Sequence, residues 1–256
     1  MAASPGKGSI SPIRCGGCSE GVLSGEQQQR RVLFGRRRGR PLRPERRRLK
    51  AELLPRLAVT LPACGPLVPQ ALFAGAPRPI WLEIGFGGGE HLAFQAAQHP
   101  EIGFIGCEVF ENGIARLIAQ IARQGLDNIR IFSDDARLLI ASLPPCSIDR
   151  VFILFPDPWP KRRHWKRRLI TRENLDRLAA AMTDRAELRL ATDDRGYLVW
   201  MLQHLSEHPD FEWLARRPCD WRERPPDWPM TRYEEKARAA GRTPVFLRAE
   251  RRPRSG

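Results

Sequence analysis

From residue 80 onward, short apolar runs alternate with stretches whose apolar residues recur at helical spacing. The runs predict strands at 80–84, 103–109, 129–132, 150–155 and 187–191. Between and after them, amphipathic stretches predict helices at 90–98, 111–124, 136–142, 172–183 and 196–207. A last strand is expected at 245–250, at the sheet edge. Strand and helix alternating at this spacing predict an α/β fold: a Rossmann-like, mostly parallel sheet with helices on both faces. Ligands of such sheets bind beyond the carboxyl ends of the strands, so chemistry is sought there.

The first 79 residues have a different texture. Residues 1–29 are rich in Gly, Ser and Gln without hydrophobic periodicity, and read as a disordered N-terminal extension. Residues 30–60 read as a basic arm followed by a short helix near 45–56. Within 30–50 there are eleven Arg and Lys against one acid, Glu45. The run Arg36-Arg37-Arg38-Gly39-Arg40 has nothing to bury, and a flexible arm is expected.

Charge narrows the class of partner. The chain of 256 residues carries 43 Lys and Arg against 29 Asp and Glu, a formal net charge of +14. Much of the excess is clustered Arg, which favours a polyanion. A GC-rich genome would also raise Arg content, but it does not explain clustering. Of the six cysteines, only Cys15 and Cys18 are spaced as C-x-x-C, with no second pair or nearby His, so neither a zinc site nor a disulfide framework is expected. No apolar run is long enough for a membrane span, and the N-terminus lacks the apolar core of a secretory signal. A cytoplasmic protein with no membrane association and no metal is the expectation. Cys107, in an apolar run, reads as a buried thiol. Trp200 and Met201 read as core, and His91, His99, His204 and His208 as surface or packing residues.

The first strand ends in Leu82-Glu83-Ile84-Gly85-Phe86-Gly87-Gly88-Gly89. Glycines let a backbone turn sharply and approach a ligand. A dinucleotide loop wants G-x-G-x-x-G, and here Glu90 stands at its last position. A cofactor without phosphate fits better, and S-adenosyl-L-methionine is one. Gly85 and Gly87 would then approach it, and Glu83 could meet a cationic amino group or orient the loop. Glu108, 25 residues after Glu83, closes the second strand and could accept both ribose hydroxyls. The third strand runs into Asp134-Asp135-Ala136, where an acid could lie beside the adenine. Either Asp could instead cap the next helix.

The fourth strand runs into Phe155-Pro156-Asp157-Pro158-Trp159-Pro160-Lys161. Prolines on both sides fix the backbone around Asp157. Residues 161–168 include six Lys or Arg with His164 and Trp165 among them. Cations meet phosphate and rings stack on bases, so this composition fits a nucleic-acid contact; a solvated face is the plainer explanation.

These motifs, with Ala191-Thr192-Asp193 and Thr231-Arg232-Tyr233-Glu234, resemble the bacterial tRNA (guanine-N7-)-methyltransferases, members of the class I S-adenosylmethionine-dependent superfamily. The resemblance covers residues 32–250 or so and makes 61–256 the methyltransferase domain. It implies that Glu83, Glu108, Asp135 and Asp157 line the S-adenosyl-L-methionine site, and that Asp157 is also the catalytic residue. Lys161, Asp193, Thr231, Arg232, Tyr233 and Glu234 would contact substrate. Arg163, His164, Trp165, Lys166, Arg167 and Arg168 would touch the tRNA. Many family members carry His where this chain has Pro160. The reaction implied is methyl transfer to N7 of a variable-loop guanine, by a monomer. Because N7 has no proton at neutral pH, Asp157 is expected to orient and not to act as a strong base. The set 231–234 also has the spacing of a capping box. Two other readings stay open: a nicotinamide-dependent oxidoreductase, and a non-catalytic RNA-binding module on a methyltransferase fold.

Overall fold

The computed structural model describes residues 35–75 and 79–254. In chain order the elements are α1 (Pro44–Leu57), β1 (Ile80–Ile84), α2 (Glu90–Gln98), β2 (Gly103–Cys107), α3 (Glu111–Gln124), β3 (Ile129–Phe132), α4 (Ala136–Ser142) and β4 (Ile148–Leu154). There follow α5 (Arg172–Ala181), β5 (Met182–Thr192), α6 (Arg195–Ser206), β6 (Phe211–Trp213), α7 (Cys219–Arg222), α8 (Arg232–Ala239) and β7 (Val245–Arg251). The strands form one sheet in the order β3-β2-β1-β4-β5-β7-β6. The five strands from β3 to β5 are parallel, and β7 runs antiparallel to both its neighbours. This is the α/β, Rossmann-like arrangement that the hydrophobic pattern predicts.

Alternation along β1 shows why the sheet is covered twice. Ile80, Leu82 and Ile84 belong to one apolar cluster and Trp81 to the other. Side chains of a strand alternate between faces, so Glu83 points the same way as Trp81. The first face is covered by Leu139 of α4, Leu175 and Leu178 of α5, and Tyr197 and Met201 of α6. The second is covered by Leu92 of α2 and by Ile114, Leu117 and Ile118 of α3. Each fully buried Leu or Ile contributes roughly 1.5–3 kcal/mol.

Three features differ from the pattern's prediction. The strand at 245–251 is not at the edge: β7 sits between β5 and the three-residue β6, which forms the edge. β2 ends at Cys107, because the next free N–H groups, of Val109 and Phe110, are taken by the Glu108 carboxylate and not by a neighbouring strand. The basic arm is held down along its described length. Arg37 O accepts from Glu111 N at 2.8 Å, Gly39 N donates to Asn112 Oδ1 at 2.8 Å, and Asn112 Nδ2 donates to Arg40 O at 2.7 Å. Lys50 of α1 meets Glu111 at 2.5 Å. The described residues lie in one compact unit. The expectations for residues 1–29, Cys15 and Cys18 included, lie outside the described residues.

Candidate active site

A cavity of about 360 Å³ opens beyond the carboxyl ends of β1 to β4, where the strand order reverses between β1 and β4. Its volume is that of a small-molecule site. Four carboxylates line it, Glu108, Asp134, Asp135 and Asp157, together with Gly85, Phe110, Trp159 and Tyr233.

On the glycine-loop side the acids are engaged by the protein itself. Glu108 Oε2 accepts from Gly87 N at 2.8 Å, and Oε1 from Val109 N at 2.7 Å and Phe110 N at 2.9 Å. This clamps the loop to the end of β2 and leaves Oε2 lone-pair capacity facing the cavity. Burial pushes the Glu108 carboxyl up, against the three backbone hydrogen bonds that hold it down. Asp135 Oδ1 caps α4 by accepting from Arg137 N at 2.9 Å, as one reading of the sequence expects, and the residue also lines the cavity. Asp134 Oδ1 accepts from Asp135 N at 2.8 Å, and Cys107 Sγ donates to Asp134 O at 3.3 Å. Cys107 is the buried thiol expected of it.

Gly85, Gly87 and Gly89 all have positive φ, which side chains disfavour. The loop is pressed on α3: a Cβ on Gly113 would lie 2.1 Å from Gly87 O, and Gln120 Nε2 donates to Gly88 O at 2.8 Å. Gly113 went unnoticed in the sequence, although a glycine inside an amphipathic helix costs about 1 kcal/mol and signals close approach.

Glu83 is not on the cavity wall. It faces the α2 side of the sheet, is 3% exposed, and its Oε2 lies 2.6 Å from His91 Nδ1. His91 is therefore the buried partner of Glu83. Its ring packs edge-on to Phe152 and Trp228.

On the opposite wall the backbone turns sharply at both ends of Pro156-Asp157-Pro158. Phe155 and Trp159 have φ of 52° and 44°, the left-handed region that bulky residues avoid. Three contacts hold this loop. Phe155 N donates to Ala191 O at 2.8 Å, Arg168 Nε donates to Pro158 O at 2.8 Å, and the Arg167 guanidinium lies 4.9 Å over the Trp159 ring. Asp157 itself makes no hydrogen bond or ion pair among the described residues. Partial desolvation raises its carboxyl above the ordinary range.

Arg168 departs from the expected RNA-contact run. It is 3% exposed, and its guanidinium lies 5.0 Å, 5.0 Å and 4.8 Å from the rings of Trp165, Tyr197 and Trp200. Enclosed by three aromatic faces, it braces the loop from inside. Trp165 likewise packs on Trp200 at 5.3 Å, so Trp200 joins Met201 against the core. Lys161, Arg163 and Lys166 are exposed, and His164 and Arg167 half-buried. Burial and then the surrounding cations Arg167, Arg163, Lys161 and Lys166 push the His164 imidazole down.

The segment 231–234 does return to the site. Trp228, 3% exposed, anchors it, while Gln95 Nε2 donates to Asp227 O at 2.6 Å and Arg189 meets the Asp227 carboxylate at 2.5 Å. Thr231 Oγ1 caps α8 by accepting from Glu234 N at 3.2 Å. The buried Glu234 carboxylate turns to Arg238 and Arg224, which leaves Tyr233 as the member of this set on the cavity wall. Tyr233 closes on Gly87 so tightly that a Cβ there would meet its ring at 2.6 Å. Asp193 is paired with Arg242 at 2.6 Å, off the wall. The cavity thus unites Gly85, Glu108, Asp135, Asp157, Arg167 and Tyr233, and adds Gly35, Arg36 and Asp134. Glu83, Gly87, Lys161, Asp193, Thr231, Arg232 and Glu234 stand behind or beside it.

Residues 77–247 match a family model described as "Putative methyltransferase". Over 229 residues the chain is 52% identical to the tRNA (guanine-N(7)-)-methyltransferase of Rhodospirillum rubrum, covering 87% of this chain and 89% of that one. The protein of the same description from Paramagnetospirillum magneticum is 51% identical over 228 residues, 88% of this chain and 95% of that one. That from Roseobacter denitrificans is 46% identical over 231 residues, covering 88% and 98%.

Proposed function

The chain belongs to the tRNA (guanine-N7-)-methyltransferase family, and from that premise we propose that its cavity is where a tRNA guanine is methylated at N7. S-adenosyl-L-methionine supplies a methyl group on a cationic sulfur, and the products are 7-methylguanine and S-adenosylhomocysteine. The cavity fits that cofactor: its wall carries four carboxylates beside Arg36, Arg137 and Arg167, its volume is adequate, and desolvation raises the carboxyls of Glu108 and, in part, Asp157, so that an arriving cation favours their ionised forms.

The observation that carries the reading is Asp157. Among the described residues it is the cavity carboxylate without a hydrogen-bond donor, on a loop fixed by Pro156, Pro158 and Arg168. Guanine N7 carries a lone pair and no proton, so positioning dominates. A carboxylate at this place accepts from the guanine N1–H and amino group, which adenine cannot match. It also stabilises the positive charge that the base acquires. Tyr233 and Trp159 offer flat faces to the base. Glu108 and an acid of the Asp134-Asp135 pair hold the ribose and adenine, and Glu83 supports the loop through His91. Lys161, Arg163, Lys166 and Arg167 meet the RNA beside the cavity mouth, with the variable loop as target.

The test is incubation of unmodified tRNA with the protein and labelled S-adenosyl-L-methionine, followed by nucleoside mapping. Label in 7-methylguanosine at a single guanine is expected. RNA that binds but gains no methyl would leave a non-catalytic RNA-binding module.

A further inference from the structure

A second, much smaller cleft lies on the far side of Tyr233. It is lined by the backbone of Gly87 and Gly88, by Glu90, and by three cations from two helices: Arg116 of α3, and Arg232 and Lys236 of α8. Tyr233 and Phe110 line this cleft and the cofactor cavity alike, so these two aromatic rings stand between them. Among the described residues, none of the three cations is paired with a carboxylate, and Glu90 pairs with none of them. Lys236 is instead 6.0 Å from the Tyr233 ring.

Three cations gathered against the single acid Glu90 repel one another. Arg116, half-buried, shows the cost: burial first, then the charges of Arg232 and of Arg46 on α1, push its guanidinium down from the ordinary value, and the single acid Glu90 offsets part of this. Arg232 and Lys236 are exposed, so solvent carries much of their charge in the free protein, and the excess of cations over the one acid leaves the cleft poised for an anion. The volume of about 40 Å³ holds roughly three water-sized atoms, enough for the oxygens of one phosphate and too small for a nucleobase.

We propose that this cleft seats one backbone phosphate of the RNA strand whose guanine enters the cofactor cavity, with Arg116 and Lys236 as its new ligands beside Arg232. The inference rests on the functional reading above and adds to it a fixed point for the strand. Arg116 donates in a planar fork that suits phosphate oxygens, Lys236 supplies a point charge, and Tyr233 lies between the anchored phosphate and the reacting base. The anchor and the methyl site are then set at a constant separation, which places one nucleotide and not its neighbours over Asp157.

The experiment compares wild type with Arg116→Gln, Lys236→Gln and the double variant, using unmodified tRNA across a salt series. The double variant is expected to raise the KM for tRNA about tenfold, with kcat at saturating tRNA and affinity for S-adenosylhomocysteine within about twofold of wild type. The slope of log affinity against log salt should become shallower by about 0.7 to 0.9 per cation removed. Arg116→Lys should restore most of the slope. A double variant with wild-type KM and salt slope overturns the proposal, and normal S-adenosylhomocysteine binding certifies the fold in that case. If wild type itself transfers no methyl to tRNA, the functional reading fails instead, so the two failures are distinct.

Discussion

On the glycine-loop side of the cavity each carboxylate is already engaged: Glu108 by three backbone N–H groups, Asp134 by Asp135 N, Asp135 by the start of α4, and Glu83, behind the wall, by His91. Across the cavity, Asp157 has no such partner among the described residues, and it is the surrounding backbone that is fixed, by left-handed turns at Phe155 and Trp159 and by the buried cation Arg168. The first wall is preorganised through its side chains and the second through its main chain. A cofactor-holding wall gains from acids locked in one geometry. A wall that must meet a base acquiring charge gains from a carboxylate whose hydrogen-bonding capacity is unspent.

The largest effect should come from removing that unspent group. Asp157→Ala is expected to lower methyl transfer to tRNA by about 10² to 10³-fold, the scale of losing one preorganised electrostatic contact, while the melting temperature stays within a few degrees. A folded variant with near-normal turnover would erase the distinction between the walls. Next is Arg168→Met, which removes the Pro158 hydrogen bond and three ring contacts. Unfolding free energy should fall by about 3 kcal/mol. Transfer should fall by about 10- to 100-fold through kcat, with Arg168→Lys failing to restore it because a point charge cannot span three rings and a carbonyl. Full activity in either variant would show that the loop needs no brace.

Acid titration sharpens the comparison from both sides. Burial raises the Glu108 carboxyl, and partial desolvation raises that of Asp157. A raised carboxyl binds its proton more tightly when folded, so its ionisation destabilises the free protein as pH rises from the unfolded value through the raised one. A bound sulfonium reverses that preference by favouring the ionised form. The rise in melting temperature produced by S-adenosyl-L-methionine should therefore shrink as pH falls through this window, beginning above the usual carboxylate range. The rise produced by the uncharged sulfur of S-adenosylhomocysteine should shrink less, and equal behaviour of the two ligands would argue against the carboxylates as the cause.

The smallest functional effect is expected at Glu83, since it acts through His91. Glu83→Gln should lower stability by about 1–3 kcal/mol and leave S-adenosylhomocysteine affinity within about threefold. A tenfold loss of affinity in a stable variant would move Glu83 onto the cavity wall.

The sheet was legible because its signal is periodic and local. β1, α2, α3, β3 and α4 fall where the apolar spacing puts them, and the glycine loop and Asp157 follow from position at strand ends. What escaped depends on partners far along the chain. The Arg-rich arm is fixed by Asn112 and Glu111, about 70 residues away. Glu83 belongs to His91 because alternation turns it toward α2. Arg168 sits in a charge run that reads as surface, yet rings from α6 enclose it, and the pattern of charges carries no sign of that. Thr231 and Glu234 spell a capping box, but Arg224 and Arg238 take the acid and Tyr233 takes the wall. β6, at three residues, is too short to register.

The most direct measurement pairs the two walls in one experiment: calorimetric binding of S-adenosylhomocysteine and single-turnover methyl transfer to tRNA, for Glu108→Gln and Asp157→Asn side by side. Glu108→Gln should lose about tenfold in S-adenosylhomocysteine affinity and keep most of its transfer rate at saturating cofactor. Asp157→Asn should keep S-adenosylhomocysteine affinity within about threefold and lose at least about a hundredfold in transfer. If both variants lose affinity and rate in the same proportion, the two walls do not divide the work and the account is wrong.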